Sequence, residues 1–305
     1  MTTTVEQRLR TLQAHWQAAH DKPEETPENT LRALWATAAG TPLSAVAADG
    51  IALPALDADA MRRLDALLSQ RLAGVPLAHL TGRQHFLGID LLAGPEALIP
   101  RRETELLGQA AIELARIAGA EGRDVIAVDV CTGSGNLAVA LAHHVPGLRV
   151  FAADLSEDAV ALARRNAERL ALADRVTFRA GDLLAPYDEA AFHGTVDLLL
   201  CNPPYISSSK VEAMPDAISA HEPRLAFDGG PLGVSLLARL MQESRHFVRT
   251  GGWLAFEVGL GQGPAMARRL RNDDAWDEVR ELADDEGAVR AVLARRSDHV
   301  TGDNG

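Results

Sequence analysis

The residues Asn202, Pro203, Pro204 and Tyr205 follow directly on an apolar run, VDLLLC. Two consecutive prolines have fixed φ angles and no N–H donors, so the segment is expected to form a rigid loop that offers mainly acceptors. An asparagine amide oxygen and a backbone carbonyl can accept both hydrogens of one NH2 group, while the Tyr205 ring stacks on its flat partner. These residue types therefore predict a site for a planar nitrogen. An ordinary proline-rich turn is the alternative.

A second candidate site is the segment DVCTGSG, residues 129–135, at a predicted strand-to-helix turn. Gly133 and Gly135 allow a tight turn and a close approach of the backbone to a ligand. The helix that follows has free N–H groups for a polar or anionic ligand. Ala138 stands where a dinucleotide-binding G-x-G-x-x-G pattern has its last glycine, which disfavours a pyrophosphate site. A turn without a ligand is the alternative.

Acidic residues end the next two predicted strands. Asp154 can bind the two hydroxyls of a ribose, or it can cap the following helix, a role that Ser156 could also fill. At the following turn, the Asp182 carboxylate or a backbone amide near Leu183 could reach an adenine edge. A simple turn is the alternative there as well.

These segments are positioned by apolar strands that alternate with helices. Strands are predicted over residues 124–130, 149–155, 175–182, 196–202 and 251–259, with helices from 136, over 156–170 and around 233–249. Such alternation is typical of a mainly parallel sheet covered on both faces. Residues 275–296 predict two strands without a helix between them, hence an antiparallel edge. Ligands bind at the carboxyl ends of parallel strands, so the four segments are expected to share one crevice.

The part before residue 76 predicts helices. Apolar positions at Met61, Leu64, Leu67 and Leu68 are spaced as on one helix face, which Asp57 or Asp59 could begin and Gly74 could end. The prolines and glutamates in residues 21–30 suggest a loop. Residues 84–92 predict a β-hairpin, and residues 104–118 predict a helix.

Composition excludes several classes of protein. The net charge of -12 argues against a nucleic-acid-binding surface. The sequence has no run of 18 apolar residues and no apolar segment near the start, so we expect a cytoplasmic protein without a membrane span. Cys131 and Cys201 are expected to be reduced thiols. The histidines and cysteines lack metal-ligand spacing, so no metal is expected.

Taken together, the motifs resemble class I S-adenosylmethionine-dependent methyltransferases. More closely, the chain resembles the bacterial protein-(glutamine-N5) methyltransferases that modify peptide chain release factors. The resemblance covers about residues 70–296 and rests on GVPLAHLTG, LIPRRETELL, DVCTGSGNLAVALA, Asp154, GDLL, CNPPYI, HEPRLAFDGG and FEVGLGQG.

The resemblance implies an α/β fold with a Rossmann-like, mainly parallel seven-stranded sheet and a small N-terminal helical domain. Its implied parts are a substrate-recognition domain at 1–82, a hairpin linker at 83–100, a catalytic domain at 101–296 and a flexible tail at 297–305.

The resemblance also implies a role for each motif residue. Those that bind S-adenosyl-L-methionine would be Cys131, Thr132, Gly133, Ser134, Gly135, Asp154, Asp182, Leu183 and Asn202. Those that bind the glutamine substrate would be Asn202, Pro203, Pro204, Tyr205, Glu222 and Pro223, with Asn202, Pro203 and Tyr205 at the reacting nitrogen.

The implied reaction is N5 methylation of the glutamine in the Gly-Gly-Gln motif of a release factor. The chain is expected to be a monomer that contacts neither nucleic acid nor membrane. Cysteine at position 131 also occurs in the sister branch that methylates a ribosomal large-subunit protein, so that substrate is an alternative. DNA adenine-N6 methylation is a further alternative, because adenine N6 is another planar NH2 group.

Overall fold

The computed structural model describes residues 2–16, 22–120, 122, 124–212, 221–230 and 234–298. These residues form two compact units. One contains the described residues up to Arg102 together with His221 and Glu222, and the other contains the remaining described residues from Glu103 onward. Across the described ranges, no helix combines the length and the apolar composition of a membrane span.

The first unit is helical and ends in a hairpin. Its elements are α1 (Thr2–His15), α2 (Pro27–Ala38), α3 (Ala58–Leu72), α4 (Leu77–Thr81), β1 (Arg83–Phe86) and β2 (Ile89–Leu92). Leu34 and Leu64 are fully buried in its core, which agrees with the predicted apolar face of α3. Phe86 pairs with Ile89 in the antiparallel hairpin, so the predicted hairpin is confirmed.

Helix α2 begins inside the segment that the sequence predicted to be a loop. Thr26 caps this helix by accepting a hydrogen bond from the Asn29 N–H, and Pro27 occupies its first turn. Proline is tolerated there because the first N–H groups of a helix have no partner within it. The prediction of a loop through residue 30 was therefore wrong after Thr26. The predicted cap of α3 is confirmed, since Asp57 accepts from the Ala60 N–H.

The second unit is a seven-stranded sheet with helices. Its strands are β3 (Ile126–Val130), β4 (Arg149–Asp154), β5 (Val176–Ala180), β6 (Val196–Cys201), β7 (Val248–Glu257), β8 (Trp276–Ala283) and β9 (Val289–Arg296). Its described helices are α5 (Thr104–Gly119), α6 (Asn136–His144), α7 (Glu157–Arg169), α8 (Ser208–Glu212), α9 (Ser235–Phe247) and α10 (Gly263–Arg271).

The sheet order is β5-β4-β3-β6-β7-β9-β8, with β9 antiparallel to both of its neighbours. The predicted parallel sheet with an antiparallel edge is therefore confirmed. Every residue of β6 is buried, as expected for an apolar strand covered on both faces. Helix α10 was not predicted. Its start, Gly263-Pro264, suggests a loop in the sequence, but proline is compatible with the first helical turn.

The predicted tail, 297–305, begins with an anchored residue. Ser297 is buried, and its N–H donates to the Ala275 carbonyl at 2.9 Å. The sheet therefore extends its hydrogen bonding one residue past Arg296. Residues from 299 onward lie outside the described ranges, so the flexibility expected for them stays a prediction.

Candidate active site

Four polar turns lie side by side at the carboxyl ends of β3, β4, β5 and β6. Parallel pairing aligns Val130 with both Ala153 and Cys201, and it aligns Asp154 with Ala180. The ends of the four strands are therefore level along one edge of the sheet. The predicted convergence of the four candidate segments is observed within the second unit.

The glycine turn after β3 is held by its neighbours. The Gly133 N–H donates to Asp154 Oδ2 at 2.8 Å, and the Asn166 side-chain amide donates to the Ser134 carbonyl at 2.9 Å. Cys131 begins the turn with φ +59°, a left-handed conformation that is uncommon for a residue with a side chain. The turn is thus fixed by contacts from β4 and α7 rather than by its own glycines alone.

Gly135 is the position where this turn leaves no room for a side chain. Its φ is +78°, and a Cβ there would lie 2.9 Å from the Ala163 Cβ. We expect Gly135→Ala to lower the free energy of unfolding by about 1–3 kcal/mol, through backbone strain and a steric clash.

Gly147→Ala is the matched control for Gly135→Ala. Gly147 has a similar φ of +82°, but no atom lies within 4 Å of the place that its new methyl group would take, so it tests strain without a clash. Urea unfolding followed by circular dichroism measures both variants. Equal losses of stability would mean that the clash at Gly135 has no energetic consequence.

Asp154 has the geometry of a ligand-binding carboxylate. It is partly exposed, and it accepts from the N–H groups of Gly133 and Ser156 at 2.8 and 2.9 Å. Burial raises its pKa despite these hydrogen bonds. A carboxylate has about four acceptor positions, so capacity remains for a hydroxyl donor. The predicted alternative, capping of α7, is filled by Ser156, which accepts from the Ala159 N–H.

A buried acid lies beneath the glycine turn. Asp129 is inaccessible to solvent and accepts from the Thr132 hydroxyl at 2.6 Å. Burial raises the pKa of Asp129 to about 7. This residue was not assigned a role from the sequence, although an acid inside an apolar strand is an unusual feature. Its contact with Thr132 helps to position the turn.

In the turn after β5, the side chains of Asp182 and Leu183, which were expected near an adenine, make contacts within the protein. The Asp182 carboxylate pairs with Arg239 of α9 at 2.9 Å, and the Leu183 side chain is buried in the core. The Gly181 N–H donates to the Asp154 carbonyl at 2.8 Å, which joins this turn to the end of β4. A contact of Asp182 or Leu183 with adenine stays a prediction.

The loop after β6 is tied to its surroundings by three hydrogen bonds. Asn202 Nδ2 donates to the Thr104 hydroxyl at 3.1 Å, and the Tyr205 hydroxyl donates to Glu257 Oε1 at 3.2 Å. Gln262 Nε2 donates to the Tyr205 carbonyl at 3.1 Å. Pro203 is buried, while Asn202, Pro204 and Tyr205 are partly exposed. The loop is rigid because both its ends and its prolines are restrained.

Thr104, Glu257 and Gln262 were missed as site residues. The acid in the apolar run LAFEVG is the sequence signal that could have identified Glu257. Its side chain is buried, and burial raises its pKa to about 7. Thr104 and Gln262 carry no comparable signal, because polar residues at the start of a helix are common.

Glu222 and Pro223, the other expected substrate residues, belong to different units. In the first unit, both Glu222 carboxylate oxygens are engaged, by the Ile99 N–H at 3.2 Å and Arg101 Nη2 at 2.6 Å. In the second unit, the Pro223 carbonyl accepts from the Ala226 N–H. Glu222 therefore positions the segment around Ile99, and direct contact of either residue with substrate stays a prediction.

Both cysteines lie at this edge of the sheet, as expected for the ends of neighbouring strands. Cys201 is buried and Cys131 is partly exposed, and neither forms a disulfide. Burial and the hydrogen bond between the two cysteine side chains raise the pKa of the Cys201 thiol. The Cys201 side chain is therefore a neutral thiol.

The residues along this edge fit an adenosine-containing cofactor. The Ser134 hydroxyl is buried without a hydrogen-bond partner among the described residues, next to the start of α6, where Gly135 provides no side-chain cap. The partly exposed Asp154 carboxylate suits ribose hydroxyls. No group of three or more histidine, cysteine or acidic side chains in the described ranges is arranged for a metal.

Comparisons with known proteins agree with this geometry. The family model described as "Methyltransferase small domain" matches residues 114–236. The N-terminal domain of human METTL16 in complex with SAH has a similar fold, with a TM-score of 0.50 at 16% identity over 70% of this chain and 77% of that chain.

Two relatives are named release factor glutamine methyltransferase. The protein from Moorella thermoacetica is 39% identical over 229 residues, which is 75% of this chain and 78% of the relative. The protein from Bradyrhizobium diazoefficiens is 34% identical over 293 residues, which is 96% of this chain and 95% of the relative. Membership of one family accounts for the fold, for the glycine turn after β3 and for the Asn-Pro-Pro-Tyr loop: the chain belongs to the release factor glutamine methyltransferase family.

Proposed function

We propose that this protein methylates the side-chain amide nitrogen of a glutamine in a peptide chain release factor, with S-adenosylmethionine as methyl donor. The observation that carries the proposal is the orientation of Asn202. Its NH2 end is bound by Thr104, so its Oδ1 is left for a donor on the ligand. The glutamine is that of the Gly-Gly-Gln motif implied by the resemblance.

The rigid loop compensates for the low nucleophilicity of the substrate. An amide nitrogen is a poor nucleophile because its lone pair is delocalised into the carbonyl. Asn202 Oδ1 and the Pro203 carbonyl would accept the two amide hydrogens and hold the nitrogen in place, while Tyr205 packs beside the flat group. These hydrogen bonds strengthen as positive charge grows on the nitrogen, so they favour the transition state over the bound substrate.

The cofactor would lie along the glycine turn. The residues that would hold it are Cys131, Thr132, Gly133, Ser134 and Gly135, then Asp154 at the ribose and Asp182 or Leu183 near the adenine. When bound, S-adenosylmethionine supplies an activated methyl group on a sulfonium. The contribution of the protein is then mainly orientation of the amide.

Methyl transfer from labelled S-adenosylmethionine to purified release factor tests this function. We expect label on the intact factor and none on a factor whose Gly-Gly-Gln glutamine is changed to alanine. Label on both factors would place the modified residue elsewhere. Absence of label from both would contradict the proposal, and the same assay with ribosomal large-subunit protein and with DNA distinguishes the two alternatives.

The helical first unit is proposed to recognise the release factor away from the glutamine. Among its described exposed side chains, Arg10 and Arg62 are about three-quarters exposed and Asp65 is half-exposed, so it offers charged groups for a protein partner. The protein is proposed to act in the cytoplasm as a monomer, without direct contact with nucleic acid.

A chain that lacks residues 1–75 tests the recognition role. We expect its kcat/KM on intact release factor to fall by about tenfold or more, since contacts of the first unit with the factor would contribute binding energy. Its kcat/KM on a short Gly-Gly-Gln peptide, the internal control, should change little. Full efficiency on the intact factor would rule out this role.

A further inference from the structure

A single buried carboxylate connects the two polar residues of the Asn-Pro-Pro-Tyr loop. Glu257 ends β7 with 2% of its surface exposed. Its Oε2 accepts from the Thr104 hydroxyl at 2.7 Å, and its Oε1 accepts from the Tyr205 hydroxyl at 3.2 Å. Thr104 in turn contacts Asn202 Nδ2 at 3.1 Å. The chain of contacts therefore runs from Glu257 through Thr104 to the amide of Asn202.

The direction of each hydrogen bond follows from the chemistry of the groups. An ionised carboxylate only accepts, so the Thr104 hydroxyl must donate its one hydrogen to Glu257. Thr104 can then act only as an acceptor toward Asn202. The Asn202 side chain must turn its NH2 end to Thr104, and its Oδ1 necessarily points the other way.

We propose that Glu257 and Thr104 are positioning residues that set the orientation of the Asn202 amide, so that its oxygen and not its nitrogen meets the NH2 group of the substrate. This inference rests on the proposed function, because a reversed Asn202 amide would place two donors against each other. An NH2 group of Asn202 that faces the substrate NH2 cannot form the hydrogen bond that holds the nitrogen.

The charged groups around Glu257 make this arrangement sensitive to pH. Glu103, before α5, and Arg290, on β9, are its charged neighbours and pair with each other at 3.3 Å, and Thr104 and Tyr205 donate hydrogen bonds to it. Burial, and to a smaller extent the Glu103 charge, raise its pKa to about 7 against the opposing effects of the Thr104 hydrogen bond, the Arg290 charge and the Tyr205 hydrogen bond. Below that pH a protonated Glu257 can donate a hydrogen bond to the Thr104 hydroxyl. The direction of that hydroxyl can then reverse, so that Thr104 no longer acts only as an acceptor toward Asn202. Activity should therefore rise as the pH increases through about 7.

Three substitutions test the positioning roles. Thr104→Val removes the hydroxyl at nearly constant volume, and Thr104→Ser retains it. Glu257→Gln retains the shape but introduces an NH2 end that can donate to Thr104 and reverse the hydroxyl. Glu281→Gln is the matched control, because it makes the same chemical change on β8, where Glu281 pairs with Arg271 at the end of α10.

Steady-state rates with release factor, from about pH 6 to about pH 9, give kcat and KM for each variant. We expect Thr104→Val and Glu257→Gln to lose about 100-fold in kcat, while Thr104→Ser and Glu281→Gln stay within about fivefold of wild type. The rise in rate near pH 7 should disappear in Glu257→Gln. The affinity of S-adenosylhomocysteine, measured by calorimetry, should change little in any variant.

Two kinetic results would overturn the inference. Turnover of both Thr104→Val and Glu257→Gln near the wild-type level would show that the Asn202 orientation does not depend on them. Equal losses in Thr104→Ser and Thr104→Val would show that packing matters and the hydroxyl does not. Circular dichroism identifies a variant that fails to fold, and the serine–valine comparison then decides the result without Glu257→Gln.

A second readout needs no substrate and separates this inference from the proposed function. The side-chain NH2 signals of Asn202, assigned by their loss in Asn202→Ala, report its hydrogen bond in protein labelled at asparagine nitrogen. We expect these signals to shift in Thr104→Val and Glu257→Gln but not in Thr104→Ser. Unchanged signals would refute the positioning roles even if wild type methylates release factor. Shifted signals with an inactive wild type would refute only the proposed function.

Discussion

Asn202→Ala is expected to lower kcat for release factor methylation by about 100- to 1,000-fold, because it removes an acceptor that acts on the amide hydrogens in the transition state. The rest of the loop should keep its shape. Tyr205 remains bound to Glu257 and Gln262, and the two prolines still restrict the backbone. The affinity for S-adenosylhomocysteine should therefore change by less than about tenfold, which corresponds to about 1.4 kcal/mol.

Asn272→Ala is the matched control for this experiment. Asn272 is exposed at the end of α10, so its removal makes the same chemical change away from the candidate site. Single-turnover methylation measures the chemical step, and calorimetry measures cofactor affinity. Near-normal turnover of Asn202→Ala would refute the proposed mechanism, and an equal loss of turnover and affinity would assign Asn202 to cofactor binding instead.

Asp154→Ala is expected to lower the affinity for the cofactor rather than the rate of methyl transfer. It removes a partly exposed carboxylate from the end of β4. Hydrogen bonds to a charged group contribute about 1.5–3 kcal/mol, so affinity for S-adenosylhomocysteine should fall by about 10- to 100-fold. The Gly133 N–H also loses its acceptor, and the glycine turn should become less ordered.

Asp277→Ala controls for the loss of a surface carboxylate, since Asp277 pairs with Arg295 on the exposed edge of the sheet. Calorimetry on wild type, Asp154→Ala and Asp277→Ala gives their affinities for S-adenosylhomocysteine. At saturating cofactor, Asp154→Ala should recover most of its turnover, because Asp154 does not contact the reacting nitrogen in the proposed mechanism. Wild-type affinity in Asp154→Ala would exclude the ribose role.

Much of the catalytic architecture was predictable because its signals are local. The apolar run before Asn202 predicts a buried strand, and β6 is buried along its whole length. The glycines before Asn136 predict a turn, and α6 begins at Asn136. The missed helix α10 and the early start of α2 share one cause. Proline in a first helical turn resembles a loop signal in the sequence, although it is compatible with the start of a helix.

The sequence by itself determined the strand-helix alternation, the four polar turns and their common edge, because strand ends and turn residues are properties of neighbouring positions. Only the tertiary structure decided which way the Asn202 amide faces. That orientation depends on a hydrogen bond between Thr104 and Glu257, which are 153 positions apart, and on burial that leaves Glu257 few partners. Contacts between distant residues arise from packing, and neither periodicity nor motif spacing encodes the direction in which a buried hydroxyl donates.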